Sequence, residues 1–125
     1  VSFEGDSGPY LQYSYIRAKS VLEKATKAKI IPNPKKIPAG WQTCVLEKML
    51  YRFPEVVEKS LDEMAPQNLV TYTTQIASEF NSFYANNQIL DGSDSEGYKL
   101  AIVRATMNVI ANALNIIGVK VPMRM

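Results

Sequence analysis

Apolar residues in this chain recur at steps of three and four and nowhere alternate along a strand, which restricts the fold to packed helices. The clearest run is Leu100, Val103, Met107, Ile110, Leu114 and Ile117. Leu69, Tyr72, Ile76, Phe80 and Phe83 form a second stripe, and Leu11, Tyr15, Ala18, Leu22 and Ala25 a third. Between them, Ile30 to Gly40 contains three prolines and a glycine, a composition no helix tolerates. The spacing predicts five helices. The first runs from Pro9 to about Lys27, with Ser7 or Gly8 near its cap. A second runs from Trp41 to Phe53, and a short third, Glu55 to Met64, follows a break at Pro54. The fourth covers Gln67 to Asn86, and a capping box of Ser93 and Glu96 opens a fifth that stops at Gly118. Short connections and a seam under three heptads predict an all-α antiparallel bundle of about five helices rather than a coiled coil.

Composition removes most chemistry. The 125 residues, 46% of them hydrophobic, suit one domain with one core. There is no histidine, so the commonest general base is absent, and a lone Cys44 can form neither an intrachain disulfide nor a zinc site. Cys44 beside Val45 and Leu46 reads as a structural thiol, and Glu58 with Asp62 as a solvated helix face. Gly5-Asp6-Ser7-Gly8 lacks the lysine and the glycine spacing of a phosphate loop. The single cysteine leads us to expect a reduced, cytoplasmic setting, and the most apolar stretch, Leu100 to Val121, is broken by Arg104, Asn108, Asn112 and Asn115, so no membrane partner is expected. The first residue is Val1, which suggests a segment of a longer protein.

Net charge is only +2, but its distribution is uneven. Arg17, Lys19, Lys24, Lys27, Lys29, Lys35 and Lys36 lie near one end, and Lys99, Arg104, Lys120 and Arg124 near the other, with the carboxylates gathered between. If the ends pack side by side they make one basic face; otherwise the charges are an ordinary solvated mixture. The first helix sharpens the question. With Leu11, Tyr15, Ala18 and Leu22 facing the core, Tyr10, Tyr13, Arg17 and Lys24 fall on the far side. Aromatic rings beside a guanidinium are suited to unpaired bases, because rings stack on bases and arginine pairs with phosphate or base edges. Tyrosines that merely cover neighbouring helices would give the same pattern.

Phe3 to Arg17 (FEGDSGPYLQYSYIR) and the closing Pro122-Met123-Arg124-Met125 carry a resemblance that favours the base-binding reading. The chain resembles the C-terminal anticodon-binding (DALR-type) domain of arginyl-tRNA synthetases. The match extends through Arg52 to Val57, Ala101 to Thr106 and Ala113 to Gly118, so it covers essentially the whole chain. Two departures stand out. The family usually has His-Ala-Arg or a close variant where this chain has Tyr15-Ile16-Arg17, and frequently a basic residue near Asn87-Gln88. Whether Tyr15 meets a base or fills the core is left open by the pattern.

The resemblance implies that Tyr10, Tyr13, Arg17, Tyr84 and Met125 lie against the anticodon loop of tRNA(Arg), with Lys24, Arg104 and Arg124 as phosphate contacts. It implies one anticodon-binding domain over residues 1–125, with no catalytic residue, metal or cofactor of its own. The catalytic domain, with its HIGH-like and KMSKS-like motifs, and the N-terminal domain are expected elsewhere in the same parent chain, a class I arginine-tRNA ligase. ATP and magnesium are expected only in that catalytic domain. Two alternatives share the helical pattern: the corresponding module of a cysteinyl- or glycyl-type synthetase, and a helical protein-interaction domain. The terminal Pro-x-Arg-Met argues against the first, and the second is marked by indifference to RNA sequence.

Overall fold

The computed structural model describes residues 7–119 and 121–122, and within them the chain forms four helices and no strand. These are α1 (Ser7–Lys27), α2 (Val45–Asp62), α3 (Pro66–Asn86) and α4 (Glu96–Ile116). They run up, down, up and down. Leu11 near the start of α1 meets Ile110 and Leu114 near the end of α4, and Val45 and Leu46 at the start of α2 line a cleft with Phe83 and Asn86 at the end of α3. The most extensive interface joins α1 to α4, so elements from the two ends of the sequence do pack side by side. Phe80, Leu69, Ile76, Leu100, Val103 and Leu46 are completely or almost completely buried between the helices.

The fifth helix is absent because α2 continues through Pro54. A proline inside a helix loses one hydrogen bond and crowds the preceding turn. Pro54 is exposed, however, while its neighbour Phe53 is buried in the core, and that packing holds the helix together across the defect. Helix α2 also starts later than its spacing suggests, at Val45 rather than Trp41. Trp41 instead donates through Nε1 to Glu47 (2.8 Å), whose carboxylate also accepts the Cys44 amide (3.0 Å) and the Tyr98 hydroxyl. The reciprocal bond of a capping box therefore belongs to Glu47 at α2 and not to Ser93 and Glu96. At α4, Glu96 reaches past Ser93 to accept the Gly92 amide (2.8 Å), and Ser95 occupies the cap position.

Three helices end alike. After α1, α2 and α4 the chain turns through a left-handed residue, Lys29 (φ 61°), Met64 (φ 52°) and Gly118 (φ 81°). The next amide returns to the carbonyl five residues back, as in Ile30 to Ala25 (2.9 Å), Ala65 to Ser60 (2.8 Å) and Val119 to Leu114 (2.8 Å). Only Gly118 has the residue type that adopts this conformation freely. The proline-rich segment after α1 crosses the first turn of α4. There the Asn33 amide donates to Gly97 O (2.8 Å), and a Cβ on Gly97 would lie 3.2 Å from Asn33 Cβ.

Candidate functional site

The buried stripe of α1 is Leu11, Ser14, Ala18, Val21 and Ala25, rotated slightly from the expected Leu11, Tyr15, Ala18, Leu22 and Ala25. That rotation settles Tyr15. It is half-buried and packs on the Leu11, Ala77, Ile110 and Leu114 cluster, where it fills the core edge. It also brings Tyr10 partly inward, onto the same cluster, and leaves Tyr13 47% exposed. Arg17 lies half-buried where α1 meets α3.

Arg17 gathers the site. Its guanidinium carbon sits 4.9 Å from the centre of the Tyr13 ring and 4.5 Å from that of Tyr84, which comes from α3 and is 38% exposed. Such placements attract a cation to the negative face of each ring. Arg17 also donates through Nη1 to Asn81 Oδ1 (2.9 Å) and through Nη2 to the Tyr13 hydroxyl. The Asn81 amide nitrogen in turn donates to the Tyr10 hydroxyl (3.0 Å) and to Ser14 Oγ (3.1 Å). Tyr10, Tyr13, Arg17 and Tyr84 are thus one connected group, joined across two helices by Asn81.

Beside Tyr84 opens a cleft of about 330 Å³, lined by Val21 and Lys24 of α1 and by the Asn87–Leu90 segment that follows α3. Lys24 is exposed on its rim, about two turns beyond Arg17 and three beyond Tyr13 along the helix. Arg104 is exposed on α4 and enters none of these hydrogen bonds or ring contacts. Met125 and Arg124 lie outside the described residues.

Sequence reasoning passed over Asn81 and Ser14. The signal available was small polar residues at helical spacing from singled-out positions: Ser14 lies three residues after the apolar Leu11, and Asn81 three residues before Tyr84. A fully buried serine hydroxyl needs a hydrogen-bond partner, and here Asn81 provides one from another helix. Elsewhere the chemistry is sparse. Glu58 and Asp62 are exposed, and burial pushes the Cys44 thiol above its ordinary pKa, away from the reactive thiolate. Among the described residues no helix is long and apolar enough to cross a membrane.

The DALR anticodon binding domain family matches residues 11–125. The chain belongs to that family. This DALR domain is 39% identical over 125 residues to the arginine–tRNA ligase of Lactobacillus johnsonii, covering 100% of this chain and 22% of that protein. It is 38% identical to the arginine–tRNA ligase of Streptococcus suis, with the same 100% and 22% coverage. Among solved structures it superposes on Thermus thermophilus arginyl-tRNA synthetase with a TM-score of 0.74 at 28% identity, over 99% of this chain and 22% of that one. The DALR domain therefore spans 22% of the length of the curated relatives it matches.

Proposed function

We propose that this DALR domain reads the anticodon loop of arginine tRNA as part of an arginine–tRNA ligase. The observation that carries the reading is Arg17 held between the partly exposed rings of Tyr13 and Tyr84, where two helices meet beside an open cleft. In this mechanism the lysines near Arg17, Lys24 among them, attract the phosphates of the loop, and its bases unstack onto the tyrosines. A ring that stacks on a base contributes about 1–3 kcal/mol, and the half-buried Arg17 adds charge where a phosphate or base edge would lie. Tyr10 acts mainly by steadying Asn81. Met125, with Arg104 and Arg124 as phosphate contacts, enters the proposal through resemblance to the family. Attachment of arginine to tRNA with ATP and magnesium belongs to the rest of the ligase, for which this domain supplies position and discrimination.

The test is a titration of the domain with an RNA stem-loop carrying an arginine anticodon, and with a second loop differing only in the middle anticodon base, at two salt concentrations. The first loop is expected to bind more tightly, and both to weaken as salt rises. Equal affinity for the two loops would overturn anticodon reading and leave a phosphate-binding surface.

A further inference from the structure

We infer that Lys99 is a positioning residue for base discrimination: from the first turn of α4 its buried ammonium holds the Asn87–Leu90 wall of the cleft beside Tyr84 in one shape. The inference rests on the anticodon-reading proposal. Lys99 is 5% exposed, an unusual place for a lysine. Its Nζ donates to the Gln88 carbonyl (2.7 Å) and to Asp91 Oδ2 (2.9 Å). The Gln88 bond orients a peptide within the wall itself. Asp91 is in turn fixed by the Ser93 amide (2.9 Å) and hydroxyl (2.7 Å), so the latch ties the wall to the start of α4. At the other end of the wall, Asn87 Nδ2 donates to the Phe83 carbonyl (3.0 Å), and Ile89 is buried beneath.

A buried ion pair is a poor way to add stability, since an apolar replacement of similar volume is often as good or better. What the pair does supply is a single geometry. A cleft that distinguishes bases needs that, because a yielding wall adapts to the wrong base as readily as to the right one. The side chains that set the wall's shape are then not those that touch RNA, and Lys99 acts through Gln88 and Asp91.

The experiment compares the unsubstituted domain with Lys99→Met, which keeps the side-chain length without the charge, and with Lys99→Arg. Each is titrated with the stem-loop bearing an arginine anticodon and with the loop changed at the middle base, while circular dichroism follows helix content. The ratio of the two dissociation constants is expected to fall about tenfold, toward one, in Lys99→Met and to recover in Lys99→Arg. The salt dependence of binding should stay unchanged. Discrimination kept in full by Lys99→Met overturns the latch alone. No discrimination by the unsubstituted domain overturns the anticodon reading and the latch with it. Should Lys99→Met fail to fold, Asp91→Asn removes the partner carboxylate from a part-exposed position. Its discrimination should also fall, and an unchanged ratio there overturns the latch.

Discussion

At the residue scale, Phe80 and Tyr84 lie one helical turn apart with ring centres separated by 6.3 Å, yet their roles divide sharply. Phe80 is completely buried, so Phe80→Ala is expected to cost about 3–5 kcal/mol, read as a large fall in the urea midpoint. Tyr84→Ala and Tyr13→Ala remove partly exposed rings. They should leave the midpoint nearly unchanged and weaken stem-loop binding by about 1–3 kcal/mol each. A Tyr84→Ala protein that unfolds would place that ring in the core and count against its role in binding. Asn81→Leu tests the joint between α1 and α3. It strips the partners of Arg17, Tyr10 and buried Ser14, and is expected to cost about 1–3 kcal/mol while also loosening Arg17. Helical spacing alone grouped Tyr10, Tyr13 and Arg17 in the sequence, whereas Tyr84, on another helix, entered only through the family resemblance. Asn81 was not, because its hydrogen bonds to α1 span sequence separations of 64 to 71 residues.

At the scale of elements, helix ends and connections offer the clearest tests. Lys29 and Met64 hold left-handed backbone conformations that cost a residue with a side chain about 1–2 kcal/mol, partly offset for glycine by its greater unfolded freedom. Met64→Gly, at an 87% exposed position, is therefore expected to raise stability by up to about 1 kcal/mol in thermal unfolding. Glu47 ties Trp41, the start of α2 and Tyr98 of α4 together, and its titration sets a pH window. Burial works against the Glu47 carboxylate, but donation from Tyr98, the Cys44 amide and Trp41 outweighs it and holds the pKa below the usual range. The Ser93 and Lys99 donors hold Asp91 well below it too. Both contributions are complete above the ordinary carboxylate pKa of about 4 and are lost as pH falls below it. The bond to Glu47, with burial second, pushes the Tyr98 phenol up to about 12. Its contribution is complete below the ordinary phenol pKa of about 10 and is lost as pH rises toward that raised value. Thermal stability followed against pH should thus weaken below about pH 4 and again in the alkaline range, where the part-buried Cys44 thiol adds a loss that begins above its ordinary pKa of about 8.5, and Tyr98→Phe should remove only the alkaline component specific to the Glu47 pair.

For the whole molecule, the up-down-up-down order brings the start of α1 beside the end of α4 and sets α3 against all three other helices. A domain of this size has about 5–15 kcal/mol of net stability, so a single core deletion such as Phe80→Ala removes a large share of it. The all-α class, α1, α3, the span of α4 and the stop at Gly118 follow from local patterning, since apolar period and helix-ending residues act over a few positions. The sequence also carried the anticodon-binding resemblance, through short motifs whose residues lie close together along the chain. Three features required the folded neighbours. Helix α2 continues through Pro54 because the packing of Phe53 outweighs a local defect. Glu47, rather than Ser93 and Glu96, makes the capping-box bond because Trp41 and Tyr98 converge on it. Arg17 lies between Tyr13 and Tyr84 because Asn81 on α3 meets α1 at that level. Each depends on contacts between groups distant in sequence, whose geometry exists only once the helices have packed.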